Sequence, residues 1–275
     1  MRFYASDIVR FSSVHTLDME ISVANLIGSV LMVGLRVSGV VLFAPFFSSA
    51  VIPPRMKVAL VITITAVLYP VYSAHLPSFS VSQWPVIVGS EMLVGIAIGM
   101  ATNAVIEGAQ LAGQILSIQM GYSLVNILDP NTQVENTVVS LFHQGVALLI
   151  FLMLGVHHWI LRAIAHSFEY LPPGTATLNP LLSQALLHEG AVVLELGLQI
   201  AAPVLAATLL ADLVLGLLGK ASPQMPLMLL GPAVKSMLGV LLLAATIGFW
   251  PKLFERTFSQ SIAYTEHLLH LAMPR

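Results

Sequence analysis

Residues 103–121, NAVIEGAQLAGQILSIQMG, carry polar side chains at alternating spacings of four and three on an apolar background. This spacing places the polar side chains on one face of a helix and the apolar ones on the others. Amides and a carboxylate without partners are costly in hydrocarbon, so we predict that this face meets other protein or a water-filled passage. The polar face consists of Asn103, Glu107, Gln110, Gln114, Ser117 and Gly121.

The composition is that of a membrane protein. Of the 275 residues, 57% are hydrophobic and 9% are charged, against about 25% charged residues in average soluble domains. A water-soluble globule of this size could not bury so much apolar surface. The formal net charge of −2 excludes the basic face that nucleic acids require. Without cysteine, the chain has no disulfide framework and no thiolate chemistry.

Apolar stretches recur along the whole chain, and most supply the ~20 residues that a helix needs to cross a bilayer. They lie at residues 21–47, 58–72, 84–106, 138–160, 191–218 and 225–249. Tryptophans at the ends of three stretches (Trp84, Trp159 and Trp250) are typical of an interfacial aromatic belt. The pairs Gly95 with Gly99 and Gly108 with Ala112 are spaced for close helix approach. The sequence therefore predicts an all-α, membrane-associated protein of long helices.

Charged residues fall within or beside these apolar stretches, where such residues usually face protein or a cavity. This indicates helices that pack mainly on other helices. Asp212, Lys220 and Lys235 are candidates for an ion pair across a helical hairpin, although Lys220 is more typical of a lysine reaching water from a helix end. The charges in question are Arg36, Glu91, Glu107, Glu195, Asp212 and Lys235.

The segment 119–129 is rich in residues that disfavour a continuous helix, among them Gly121, Asn126 and Asp129. Irregular backbone at membrane depth is tolerated only where it is buried in protein or lines water. The segment therefore predicts either a re-entrant plug or an ordinary surface loop between two helices.

No motif of an enzyme or of a metal site is present. The sequence has no Gly-x-Ser-x-Gly elbow, no phosphate-binding loop and no His-Glu-x-x-His pattern. The adjacent His157 and His158 point to different faces of a helix, and His267 and His270 have no obvious carboxylate ligand beside them. We predict no catalytic residues, no metal and no cofactor.

Six further stretches of sequence carry a family resemblance. They are AGQILSIQMGYS (112–123) followed by Asp129-Pro130, then Arg36, IPPRMK (52–57), GVHH (155–158), SPQM (222–225) and LGPAVK (230–235). Taken together, these motifs resemble the FliR/SctT family, whose members are export-gate subunits of bacterial flagella and of type III secretion injectisomes. The resemblance extends over roughly residues 21–260. Ser117 stands where the family usually has glycine, and Lys220 where it usually has arginine.

The resemblance implies one subunit of a helical hetero-oligomeric pore complex in the bacterial inner membrane, at the flagellar basal body. FliP and FliQ homologues would form the ring around a single copy of this chain, with FlhB and FlhA homologues as further partners. Unfolded substrates would cross through the pore. It also implies a FliP-like part at 1–186, with a plug loop at about 108–123, and a FliQ-like hairpin at 187–275.

The residues carried over from the resemblance form two sets. The pore-lining or plug set is Asn103, Glu107, Gln110, Gln114, Ser117, Gln119, Met120 and Gly121. The set at subunit interfaces or in ion pairs is Arg36, Glu91, Asp212, Lys220 and Lys235.

Three alternatives remain open on the sequence. The first is an injectisome gate subunit of the same family. The second is a stand-alone transporter with Glu91, Glu107 and Asp212 as coupling carboxylates. The third is a membrane scaffold without a passage, in which the polar face is a seam between helices.

Overall fold

All regular structure in the described part of the chain is helical, which confirms the predicted all-α class. The computed structural model describes residues 27–49, 52–72, 83–122, 137–172, 180–222 and 227–271. The predicted Asp129-Pro130 motif and Ser123 lie outside these ranges. The helices are α1 (Ile27–Phe43), α2 (Pro54–Tyr72), α3 (Trp84–Gln119), α4 (Val138–Met153), α5 (Val156–Tyr170), α6 (Pro180–Ala221), α7 (Leu227–Thr246) and α8 (Trp250–Leu271). A short 3-10 helix, Ile247–Phe249, joins α7 to α8.

Four helical segments of the described chain are long and apolar enough to cross a membrane, and a bent pair makes a fifth. The bent pair is α4 with α5, which meet at 66°. Gly155 stands at the bend with a φ of 67°, in the left-handed region that favours glycine. The predicted apolar stretch 138–160 is therefore two helices that differ in direction. The four single segments are Pro54–Tyr72, Trp84–Gln119, Leu186–Ala221 and Leu230–His270.

Helix α3 is longer than its apolar stretch predicted. It continues past Ile106 to Gln119, 36 residues in all, which is about 54 Å at a rise of 1.5 Å per residue. The hydrocarbon core of a bilayer is only about 30 Å thick. The predicted plug loop at 108–123 is accordingly helical up to Gln119, and only its last turn, at Met120–Tyr122, leaves the helix.

The helix continues through this glycine-containing region because neighbouring helices pack on its small residues. Gly95 and Gly99 lie against the backbone of α1, near Arg36 and Val40. Gly108 lies against α6, where an added Cβ would be 3.1 Å from the carbonyl oxygen of Val193. On a further side, Gly113 is in contact with the backbone of α4 at Ser140, so α3 is the central helix of the described chain.

Helix α8 closes the core with aromatic side chains. Trp250, Phe254 and Phe258 are all buried, and the Phe258 ring packs on Phe151 of α4 with centroids 5.8 Å apart. The Trp250 ring lies 4.9 Å from the ring of His143. Trp250 therefore belongs to the packed interior, and its predicted place in an interfacial aromatic belt is wrong.

Helix α2 and the hairpin of α6 and α7 are among the parts of the molecule that expose apolar surface. In α2 the only buried residue is Thr65, and only 6% of the apolar 18-residue segment of this helix is buried. The hairpin of α6 and α7 exposes large side chains such as Leu213, Leu217 and Leu241. In water such surfaces would associate, so they require lipid or protein partners. The predicted boundary at 186/187 falls within α6, and the two predicted parts therefore share one helix.

The crossing of α1 and α3 predicts a sharp difference between two glycines. In Gly95→Ala the new methyl group would meet the carbonyl oxygen of Arg36, whereas at Gly89 nothing lies within 4 Å. We expect Gly95→Ala to destabilise the protein by about 1–3 kcal/mol through forced separation of the helices. Gly89→Ala is the matched control, and we expect it to be neutral or stabilising by up to about 1 kcal/mol. Thermal unfolding in detergent measures both, and equal melting temperatures would contradict this packing.

Candidate functional site

A fully buried ion pair lies at the crossing of α1 and α3. Arg36 Nη2 is 2.8 Å from Glu91 Oε2, and both side chains are 0% exposed. The Nε of Arg36 donates a hydrogen bond of 2.8 Å to the same carboxylate oxygen, whereas the close Nη2 contact lacks hydrogen-bond geometry. The Nε hydrogen bond fixes the direction of the ion pair.

The same guanidinium also holds α5. Its Nη1 donates to the backbone oxygen of Ser167 at 2.8 Å and to the Ser167 hydroxyl at 3.2 Å. The guanidinium carbon lies 4.3 Å from the centre of the Phe168 ring, in cation–π geometry. Arg36 therefore joins three helices far apart in sequence. Because desolvating two charges is expensive, such a pair needs these additional contacts.

The open side of the C-terminal half of α3 is polar. Between Ala101 and Ser117, Glu107 is exposed, and Asn103, Gln110 and Gln114 are half-buried, together with the apolar Leu111 and Ile115. The remaining positions of this stretch are buried against other helices. We call Asn103, Glu107, Gln110 and Gln114 the polar strip. It brings together the first four residues of the predicted pore-lining set.

Other members of the predicted set are placed differently. Ser117 is 0% exposed, and its hydroxyl has no hydrogen-bond partner among the described residues. Met120 is 1% exposed. These two residues face the interior of this chain and not its open side, because helix α3 carries them beneath its neighbours. Gln119 and Gly121 are half-buried at the end of the helix.

A second ion pair lies at this end of α3. Asp212 of α6 accepts a contact of 2.9 Å from Lys235 Nζ of α7, and Gln119 Nε2 donates to its other oxygen at 3.1 Å. The Asp212 side chain is 43% exposed and that of Lys235 is 18% exposed. Lys220, the third candidate, is exposed in the last turn of α6 and forms no ion pair within the described ranges.

Sequence reasoning missed one buried carboxylate. Glu189 of α6 is 1% exposed, and it lies 2.5 Å from the Ser261 hydroxyl and 3.3 Å from that of Thr265. Ser261 also donates to the backbone oxygen of Ala101 in α3 at 2.7 Å. The available signal was the i, i+4 spacing of two hydroxyls on α8. Nothing in the sequence, however, connected that pair with Glu189.

The polar strip offers hydrogen bonds but little charge. Three of its side chains are amides, and Glu107 is its single carboxylate. Amides both donate and accept, which suits contacts with water, with peptide groups and with polar side chains of neighbouring helices. In the described part of the chain, no three His, Asp or Glu side chains come together as a metal site would require. The arrangement is that of a polar surface and offers no catalytic constellation.

Comparison with known proteins finds matches over most of the chain. Residues 27–261 match the family described as Bacterial export proteins, family 1. The chain is 30% identical over 228 residues to the Flagellar biosynthetic protein FliR of Escherichia coli K12, covering 82% of this chain and 87% of that protein. It is 25% identical over 254 residues to the protein of the same name from Bacillus subtilis, covering 91% and 98% respectively. For the Caulobacter vibrioides protein of that name the identity is 26%, with coverages of 78% and 87%.

The buried pair predicts a large effect of removing one charge. Arg36→Met leaves Glu91 buried without its cation, and we expect a loss of about 3–5 kcal/mol of stability. Replacing both residues together, as Arg36→Met with Glu91→Leu, should restore more than half of the loss because no lone charge remains. Arg162→Met, at an exposed arginine of α5, is the matched control. Thermal unfolding in detergent is the measurement. If Arg36→Met and Arg162→Met have the same melting temperature, the ion pair does not hold these helices together.

Proposed function

The chain belongs to family 1 of the bacterial export proteins and is a membrane component of the flagellar export apparatus; we propose that it is a core subunit of the type III protein export gate. In this proposal it forms the gate's pore together with FliP and FliQ homologues. Unfolded flagellar substrates then cross the bacterial inner membrane through that pore, at the flagellar basal body. The observation that carries the proposal is the family match over residues 27–261.

The open surfaces of the chain support membership of a larger assembly. Helix α2 and the hairpin of α6 and α7 leave large apolar side chains uncovered. Helices α3 and α6, at 36 and 42 residues, are also longer than a bilayer requires. In the proposed complex, sister subunits and lipid cover these surfaces. FlhB and FlhA homologues then contact the assembled gate, which holds one copy of this chain.

The polar strip supports a role at the pore. On a helix whose other positions mostly pack against neighbours, Glu107, Gln110 and Gln114 are polar side chains that stay accessible to a neighbouring surface or to water. In the proposed gate this strip faces the passage or the subunits around it. The segment at about 108–123, which includes Gln119–Gly121, contributes the plug that closes the pore.

A stand-alone transporter is less well supported. Of its three candidate coupling carboxylates, Glu91 is paired with Arg36 and Asp212 with Lys235. Only Glu107 is exposed and outside these ion pairs. A carboxylate locked against a buried guanidinium is poorly suited to binding and releasing an ion in each cycle. An injectisome subunit stays an alternative within the same family, although the relatives named above are flagellar proteins.

The proposal predicts a discrete complex. We expect co-expression of the tagged chain with the FliP-like and FliQ-like proteins of its own source to give a hetero-oligomer holding one copy of it. Native mass spectrometry after mild detergent extraction measures the composition. A monomer or homodimer, with both partners demonstrably expressed, would contradict the gate and favour the stand-alone transporter.

A second prediction concerns the polar strip. Replacing Gln110 and Gln114 together by leucine should leave the complex assembled, because both positions are only half-buried. We expect export of flagellar substrates to fall by about tenfold or more, since water or peptide groups in the passage lose hydrogen-bond partners. Gln260→Leu, at an exposed glutamine of α8, is the matched control. Normal export by the double variant would instead support the scaffold alternative.

A further inference from the structure

The last turn of α3 is held by one face of α7. Pro232, Lys235, Ser236 and Gly239 recur at spacings of three, one and three, so they lie on a single side of that helix. Each of them contacts the turn or the side chain that binds it. We call these four residues, together with Asp212 of α6, the α7 clamp.

The polar contacts of the clamp form two connections. Lys235 Nζ lies 2.9 Å from Asp212 Oδ1, and Asp212 Oδ2 accepts a hydrogen bond of 3.1 Å from the amide of Gln119. One turn further along, the hydroxyls of Tyr122 and Ser236 are 2.6 Å apart. These two connections tie the last helical residue and the end of the turn to the same helix face.

The space between the two polar connections is filled by close backbone approach. A Cβ added to Gly239 would lie 2.6 Å from Met120 Cε, so the absence of a side chain there makes room for the buried methionine. Gly121 has a φ of 87°, and a Cβ at that position would lie 3.0 Å from Pro232 Cβ. Close packing and polar contacts therefore hold the same turn.

The clamp differs from the ion pair in the core in how easily it can be broken. Arg36 and Glu91 are both 0% exposed, whereas Asp212 is 43% and Lys235 18% exposed. Breaking the core pair strands a charge away from water. Breaking the pair between Asp212 and Lys235 leaves its charges partly exposed, so it costs less than breaking the core pair. The molecule thus holds one end of α3 by a fully buried ion pair and the other end by a partly exposed ion pair.

We propose that the α7 clamp is a latch: it holds the end of α3 in the closed gate and releases it when the pore opens. The inference rests on the proposed gate function, and it assigns Asp212, Lys235 and Ser236 as positioning residues for the plug. The clamp holds residues 119–122, the end of the segment proposed as the plug, so its release frees the chain at that point. Opening then needs no rearrangement of the buried core around Arg36.

Charge variants test the latch in the assembled complex. We expect Asp212→Asn and Lys235→Gln each to raise the leak of potassium ions through the complex by about fivefold. A change of this size corresponds to the loss of one partly exposed charged contact. Exchanging the two, as Asp212→Lys with Lys235→Asp, should restore most of the closure. The Gln119 amide can turn its oxygen towards the new lysine.

Two controls distinguish failure of the latch proposal from failure of the proposed gate function. Lys220→Gln removes a lysine from the same hairpin that forms no ion pair within the described ranges, and it should leave the leak unchanged. Deletion of residues 113–121 should leak strongly if the gate function is right. If that deletion does not leak, the proposed function is wrong. If it leaks while Asp212→Asn and Lys235→Gln do not, only the latch is wrong.

A reversible cross-link distinguishes a latch that must open during export from a contact that stays formed throughout. The chain has no cysteine of its own, so Gly121→Cys with Pro232→Cys introduces the only two thiols of this subunit. Their Cβ positions lie 3.0 Å apart, shorter than the about 3.5–4.5 Å of a disulfide, so the turn must move outward slightly to form the bond. We expect the oxidised complex to block export and a reductant to restore it. Normal export by a demonstrably cross-linked complex would overturn the proposal. Should the cysteine variant fail to assemble, the charge variants decide the question.

Discussion

The buried guanidinium of Arg36 is the point on which the packing of this chain depends. It binds Glu91 across the crossing of α1 and α3, and it reaches the backbone of Ser167 in α5. A charge that is fully removed from water tolerates few arrangements, because each lost contact carries most of its desolvation cost. The three helices are therefore fixed relative to one another within narrow limits. Close approach at Gly95 and Gly99 brings the two charges within reach.

With that crossing fixed, the rest of α3 becomes the axis of the molecule. Small residues let α6 and α4 approach at Gly108 and Gly113, and the C-terminal half of the helix is left open mainly along the polar strip, with Leu111 and Ile115 half-buried beside it. Its far end rests on the exposed ion pair between Asp212 and Lys235. A helix that is held by a fully buried ion pair at one end and by a partly exposed one at the other suits the proposed latch, because its end can be freed while the core stays intact.

Sequence reasoning succeeded where the physical rule depends on local composition and spacing. Helical periodicity predicted that Asn103, Glu107, Gln110 and Gln114 share a face, and the helix places them on one open strip. The rule that charges in apolar helices find partners singled out Arg36, Glu91, Asp212 and Lys235 as candidates. It named Asp212 with Lys220 or Lys235 as a pair across the hairpin, but it could not pair Arg36 with Glu91. Arg36 and Glu91 are 55 residues apart, and their contact exists because two glycines let the helices cross there.

Reasoning from the sequence failed where packing overrides local preference. The family resemblance implied a plug loop at about 108–123, but neighbouring backbones fill the space that the missing side chains of Gly108 and Gly113 leave, and the helix continues to Gln119. Trp250 stands at the edge of an apolar stretch, yet it is buried in an aromatic cluster with His143 and Phe254. Glu189 drew no attention because its partners, Ser261 and Thr265, lie more than 70 positions away.

The amino-acid sequence by itself determined the helical class, the membrane setting, the family and the side chains of the polar strip. These follow from composition, periodicity and ordered motifs, which are local properties of the chain. Only the tertiary structure decided which charges pair, that Ser117 and Met120 turn inwards, and that the end of α3 rests on α7. Those outcomes depend on helix crossings between distant segments. Sub-ångström differences in packing set such crossings, and no local pattern encodes them.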